Sequence, residues 1–161
     1  IGSQRVKLSS PQYDWERYGD LGAKSNPPHV NVNEGPEILK HGNKLFLIYS
    51  ASGCWTDYYA LGMLSTSADK NVLERASWTK SKHRVFKAAT ENRVYAPGHK
   101  SFFKSADGKQ DWIIYHANSA PGQGCGKDRS PRMQQFNWNN DGMPNFGVPV
   151  KTGVSMDAPS E

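Results

Sequence analysis

Two stretches of sequence decide the fold, GNKLFLIYSA at residues 42–51 and GKQDWIIYHA at residues 108–117. Each begins with a glycine turn and continues as an apolar run that ends in a tyrosine, one further residue and an alanine. The glycines, the tyrosines and the alanines of the two stretches are each separated by 66 residues. A glycine turn before a short apolar run predicts the second strand of a β-hairpin. The repeat therefore predicts that one β-unit occurs twice in the chain.

Further candidate strands flank each repeat. The first unit contains runs at residues 37–39, 45–49, 58–64 and 77–80. The second unit contains runs at residues 97–99, 111–117 and 132–138, and residues 148–150 are an outer strand of this unit or of a neighbour. Runs of this length, separated by turns rich in Gly and Asn, predict two antiparallel meanders of four strands.

Two such meanders at a constant spacing are typical of β-propeller blades, which pack face to face around an axis. Because closed propellers have about four to eight blades, two blades leave the ring open. We therefore expect an all-β fold in which residues 1–161 form a partial propeller that a missing segment or a second chain completes. Residues 1–30 are expected to be the end of a preceding blade, with a strand at 5–9, and a linker. Residues 31–94 are one blade, and residues 95–161 are a second blade and a C-terminal segment.

The composition argues against a membrane or nucleic-acid partner. With 36% hydrophobic residues, the chain has no stretch long enough to cross a bilayer. The net charge of +5 comes from basic residues that are interleaved with acids, whereas nucleic-acid binding needs a continuous basic patch. The chain begins at Ile1 without a recognisable targeting segment, so we expect it to be processed or part of something longer.

One end of the two meanders is the candidate functional face. In a meander the start of the first strand and the loop after the second strand lie at the same end, which places Glu34, His99 and the loops 50–57 and 116–129 together. Aromatic and polar side chains on this face suit stacking on, and hydrogen bonding to, a sugar ring. The candidates for substrate binding are Trp55, His116 and Arg132. Packing between blades is the alternative role of Trp55.

Cys54 and Cys125 lie in the loops that follow the second strands of the two units. Because these loops share one face, we predict a disulfide between them and a secreted protein. Closing a span of 71 residues stabilises by about 4 kcal/mol in the chain-entropy model. Two free thiols remain the alternative, since loop spacing does not determine Cβ geometry.

Several motifs together resemble those of one enzyme family. The segments VNEGPEI at 32–38 and KLFLIYSAS at 44–52 are similar to the general-acid region of glycoside hydrolase family 43. This family comprises five-bladed propellers and includes α-L-arabinofuranosidases, arabinanases and β-xylosidases. The segment YAPGHKSF at 95–102 resembles the family's Gly-Pro-Gly-His-Asn-Ser segment, and residues 111–117 resemble the strand after it. The resemblance covers nearly the whole chain.

The resemblance implies a role for individual residues. Glu34 matches the general acid that protonates the departing glycosidic oxygen; an ordinary surface carboxylate is the alternative. His99 matches the residue that holds a central metal ion, here calcium or sodium, or its water shell; a satisfied core or turn histidine is the alternative. Arg132 matches an arginine near the substrate pocket, and a salt bridge to a neighbouring blade is its alternative role. Two positions depart from the family pattern: Ala96 replaces a usual glycine, and Lys100 replaces a usual asparagine.

The expected function is inverting hydrolysis of α-L-arabinofuranosides in plant polysaccharide, with Glu34 as general acid. Inversion also needs a general base, and no Asp of this chain starts an inner strand. We therefore expect the base on other blades and the chain alone to be inactive. Two alternatives stay open, a sugar-binding module without catalysis and β-xylosidase specificity. A lectin has no need of a proton-donating carboxyl group, so Glu34 distinguishes the first alternative from an enzyme.

Overall fold

The computed structural model describes residue 2 and residues 4–19 and 30–161, and its regular structure is two four-stranded antiparallel sheets in chain order. The first sheet consists of β1 (Asn33–His41), β2 (Lys44–Ala51), β3 (Ala60–Ser67) and β4 (Thr79–Lys80). The second consists of β5 (Tyr95–Lys104), β6 (Asp111–Asn118), β7 (Ser130–Trp138) and β8 (Pro144–Asn145). Single turns of 3-10 helix occur at Asp14–Glu16, Arg75–Ser77 and Thr90–Asn92. The described part of the chain has no helix with the length and apolarity that a membrane span requires.

The two meanders predicted from the 66-residue repeat are confirmed as two four-stranded sheets, each with its strands in chain order. Their turns have a local cause. Gly42 and Gly108 adopt positive φ values of 55° and 73°, a region that glycine enters without the steric cost of a Cβ. In the first hairpin only two residues, 42 and 43, separate the paired residues His41 and Lys44.

Two of the predicted strands are absent from the sheets that the described residues form. Residues 5–9 form no strand in the described chain, and the nearby Ser10 carbonyl accepts a hydrogen bond from Lys80 Nζ. Residues 148–150 are also irregular, and the outer strand is β8 instead. The Gln134 side chain binds the carbonyl of Val148 and the amide of Val150, so these backbone groups pair with a side chain of β7. Residues 20–29 of the expected linker lie outside the described residues.

The main core lies between the two sheets, and both repeat stretches contribute to it. Phe46 and Ile48 of β2 and Ile113 and Tyr115 of β6 are almost completely buried there. Phe86, from the connection between the sheets, packs edge-on against Tyr115 with ring centroids 4.8 Å apart. Burying these side chains provides the main stabilisation of the blade interface.

The outer face of the first sheet carries a second cluster, which the N-terminal segment covers. Tyr49, Ala51 and Leu64 pack there against Leu8 and Trp15, among others. This contact joins the segment that precedes the first blade to that blade's own β2 and β3.

Beside this cluster lies a fully buried carboxylate, that of Glu16. It accepts hydrogen bonds from the Tyr49 hydroxyl at 2.8 Å, from Lys80 Nζ at 2.8 Å, and from the backbone amides of Gln12 and Tyr13. Burial alone would raise the pKa of Glu16, but the hydrogen bonds, that of Lys80 first, lower it below its ordinary value. Glu16 therefore anchors the N-terminal segment to the first blade as a charged group.

Candidate active site

A pocket of about 410 Å³ opens at the end of the sheets where β1 and β5 begin. It is lined by Glu34, Cys54, Tyr59, His99, His116, Cys125, Gly126 and Arg129. Glu34 lies at the start of β1, His99 within β5 and His116 near the end of β6, and the other residues lie in the connections that follow β2 and β6. Of the residues that the sequence singled out, the structure brings together Glu34, His99, His116 and the two cysteines.

Glu34 owes its position to a bulge in β1. Its backbone pairs with Ser50, but the register of β1 against β2 shifts between Glu34 and Glu37. Gly35 has a φ of 53° within this bulge, and bulges redirect side chains next to functional sites. The bend turns the half-buried Glu34 side chain into the pocket.

Lys100 supports this bulge from β5. Its ammonium donates a hydrogen bond to the Gly35 carbonyl, and the residue is only 6% exposed. Burial lowers the pKa of Lys100 to about 8, with Glu37 acting in the opposite direction. The lysine that departs from the family pattern therefore holds the backbone next to Glu34.

Tyr59 makes the closest polar contact to Glu34. Its hydroxyl donates a hydrogen bond of 2.5 Å to Glu34 Oε1, and the side chain is 1% exposed. Burial and then the bond to Glu34 raise the pKa of Tyr59. The sequence pattern predicts residue 59 within a strand, whereas β3 begins at Ala60, and the pattern gives no indication of this role. The adjacent tyrosines 58 and 59 were an available signal, because successive side chains at a strand start point in opposite directions.

His99 and His116 face each other across the pocket, with ring centroids 6.5 Å apart. The His99 amide donates to Ser50 Oγ at 2.8 Å, which ties β5 to β2. Burial, and then Arg129 and His99, lower the pKa of His116, so its imidazole is neutral near pH 7.

The described residues do not by themselves form a calcium or sodium site. They contain no cluster of three His, Cys, Asp or Glu side chains that could hold a metal ion. Calcium prefers a shell of six to eight oxygen donors, whereas His99 offers an imidazole nitrogen beside a second imidazole. An ion site built on His99 remains an expectation from the sequence.

Trp55 and Arg132 are not among the residues that line the pocket. Trp55 Nε1 donates to the Gly19 carbonyl at 2.6 Å, and Arg132 Nη2 donates to Ser119 Oγ at 2.9 Å. The arginine in the pocket is Arg129, which lies 5.0 Å from the centre of the Tyr59 ring. The sequence predicts that the loop 116–129 lies on this face but does not single out Arg129, because local periodicity says nothing about where a loop side chain points.

The predicted disulfide is confirmed. Cys54 and Cys125 are bonded, with Cα atoms 5.3 Å apart. The same two loops are also joined by Asp57, whose carboxylate oxygens accept the Gly122 amide at 3.0 and 3.1 Å. The disulfide therefore forms one wall of the pocket and connects the loops that carry it.

The fold and the pocket define part of a β-propeller whose site combines a carboxyl group, two imidazoles and a guanidinium group. The sequence model of Glycosyl hydrolases family 43 matches residues 4–144. The chain belongs to this family, as its motifs suggested.

Individual relatives agree with this assignment. The chain is 42% identical to the "Extracellular exo-alpha-(1->5)-L-arabinofuranosidase" of Streptomyces avermitilis over 159 residues, which cover 96% of this chain and 31% of that protein. It is 36% identical to the "Alpha-L-arabinofuranosidase 43" of Humicola insolens over 160 residues, covering 95% of this chain and 30% of that one. The crystal structure of the alpha-L-arabinofuranosidase from Lactobacillus brevis superposes with a TM-score of 0.82 at 35% identity, covering 96% of this chain and 46% of that chain. The chain therefore spans about a third of the length of the curated relatives it matches.

Proposed function

We propose that this chain supplies the general acid, Glu34, for inverting hydrolysis of α-L-arabinofuranosides in plant polysaccharide. The observation that carries the proposal is the placement of Glu34 in the pocket with one carboxyl oxygen bound by Tyr59. The arabinofuranosidase names of the relatives support the choice of sugar. The disulfide and the extracellular name of the Streptomyces avermitilis protein support secretion.

In the proposed reaction, Glu34 transfers its proton to the glycosidic oxygen as the bond from that oxygen to the anomeric carbon breaks. A water molecule attacks the anomeric carbon from the opposite side and loses its proton to a general base. In inverting glycosidases this base is a second carboxylate about 6.5–9.5 Å from the acid. Glu34 is the only carboxylate among the described residues that line the pocket. The base would therefore lie on the remaining propeller blades, and the chain by itself would be inactive.

The other pocket side chains suit the binding of sugar hydroxyls. The neutral His116 imidazole can both donate and accept a hydrogen bond. The Arg129 guanidinium donates to the His116 carbonyl at 3.3 Å through Nη2, and its buried Nε has no hydrogen-bond partner among the described residues. We assign sugar contacts to these two residues, since they line the pocket and Trp55 and Arg132 do not.

The test uses the propeller assembled from this chain and its complementary blades, with Glu34→Gln as the variant. Glutamine preserves the shape but cannot donate the proton. Cleavage of arabinan, whose leaving group is a sugar, should fall by roughly 10²–10⁴-fold. An aryl arabinofuranoside with an acidic phenol should be affected much less, because such a phenol departs without protonation.

Other outcomes would contradict the proposal. Full activity of Glu34→Gln on arabinan would exclude Glu34 as the acid, and hydrolysis by the chain alone would exclude an external base. Faster hydrolysis of an aryl β-xyloside than of an aryl arabinofuranoside would show that arabinofuranose is not the preferred sugar. Binding without hydrolysis by the whole assembly would indicate a lectin.

A further inference from the structure

We infer that Tyr59 is the positioning residue of the general acid: its hydroxyl holds Oε1 of Glu34 and so assigns proton donation to Oε2. The inference rests on the proposed function, because it concerns how Glu34 would deliver its proton. Tyr59 lies in the connection between β2 and β3. Neither the sequence motifs nor the names of the relatives assign a role to this residue.

The position of the phenol is determined by its surroundings. A Cβ atom on Gly98 would lie 2.2 Å from Cε1 of the Tyr59 ring, so the ring rests directly on the backbone of β5. The Arg129 guanidinium covers the ring at 5.0 Å from its centre. With 1% of the side chain exposed, Tyr59 has little freedom to leave Glu34.

Tyr59 is the donor of this hydrogen bond at neutral pH. Its burial and its bond to Glu34 both disfavour the phenolate, which raises the pKa of the hydroxyl. The phenol proton therefore stays on the tyrosine oxygen and points to Glu34 Oε1. Transfer of the catalytic proton does not involve this hydrogen.

This arrangement acts on both states of Glu34. While the carboxyl group is protonated, Oε1 accepts the phenol hydrogen and the acidic proton resides on Oε2. When Oε2 gives its proton to the glycosidic oxygen, negative charge develops on the carboxylate, and the bond from Tyr59 becomes charge-assisted. Charge-assisted hydrogen bonds are shorter and about twice as strong as neutral ones. Because the donor is already in place, it stabilises the transition state without reorganisation.

The test is Tyr59→Phe in the assembled propeller, which keeps the ring on Gly98 and removes only the hydroxyl. We expect kcat on arabinan to fall about 10- to 100-fold, the range of one charge-assisted hydrogen bond, with KM little changed. On an aryl arabinofuranoside with an acidic phenol we expect a change below about threefold, since little charge develops on Glu34 in that reaction.

Tyr115→Phe is the matched control. Tyr115 is also 1% exposed and also hydrogen-bonded, with its hydroxyl 3.0 Å from Gln134 Oε1, but it lies in the core between the sheets. Loss of the Tyr115 hydroxyl should change the rates on both substrates by the same small factor. Thermal unfolding of each variant shows whether it is folded.

The outcomes separate this inference from the proposed function. If Glu34→Gln loses arabinan cleavage selectively and Tyr59→Phe does not, the inference is wrong and the general acid stands. If Tyr59→Phe lowers kcat on both substrates by the same factor, Tyr59 has only a structural role. If Glu34→Gln shows no dependence on the leaving group, the proposed function itself fails.

Discussion

Replacing Lys80 by methionine should destabilise the protein strongly, because it leaves the Glu16 carboxylate buried without its cation. Lys80 Nζ lies 2.7 Å from Glu16 Oε1, and the side chains are 11% and 0% exposed. Removing one partner of a buried ion pair costs about 3–5 kcal/mol. The Tyr49 hydroxyl and two backbone amides still bind Glu16, so we expect a loss near the lower end, about 3 kcal/mol.

The assay is urea unfolding at pH 7 followed by tryptophan fluorescence, with Lys104→Met as the control. Lys104 forms an ion pair with Asp111 at the same 2.7 Å, but its side chain is 58% exposed. Exposed pairs contribute about 0–1 kcal/mol, so the control should lose less than 1 kcal/mol. Equal losses in the two variants would refute the reasoning, since distance alone would then decide the energy.

The same ion pair predicts an acid dependence. The folded-state pKa of Glu16 is lowered, so the folded protein releases this proton more readily than the unfolded chain. The resulting stability is present above the ordinary value of 4.5 and is lost as the pH falls through the folded-state value. Lys80→Met removes the first of the interactions that lower this pKa, so the loss of stability on acidification should be smaller in the variant, which urea unfolding between pH 3 and 7 would detect.

Two further predictions concern the site. Replacing both Cys54 and Cys125 by serine should lower the free energy of unfolding by about 4 kcal/mol, measured by urea unfolding against the oxidised protein; an unchanged midpoint would show that the bridge contributes nothing. The pKa of Lys100 is about 8 in the folded protein against an ordinary 10.5, so between these values the unfolded chain binds more protons and stability should rise with pH, by up to about 3 kcal/mol. The Lys100→Met variant should lack this rise in stability when its free energy of unfolding is compared at pH 7.5 and pH 10. If the variant and the unmodified protein change in parallel, Lys100 is not the cause of the rise.

The amino-acid sequence alone was sufficient for the blades and for the end of the sheets that carries the site. The turns at Gly42 and Gly108 and the apolar runs after them are local features, and antiparallel topology then places Glu34, His99 and His116 at one end. The disulfide followed from the same topology, because the two cysteine loops occupy equivalent places in adjacent blades.

The tertiary structure alone decided which side chains meet. Arg129 reaches the pocket and Arg132 does not, because the path of the loop before β7 depends on how the sheets pack. Residues 148–150 form no strand, because in the packed structure their backbone groups pair with the Gln134 side chain. Glu16 would be expected at the surface, since carboxylates are rarely buried without a partner. Its partner Lys80 is 64 residues away in sequence, as Tyr59 is 25 residues from Glu34. Contacts between residues so far apart arise only when the strands are packed, and no local pattern encodes them.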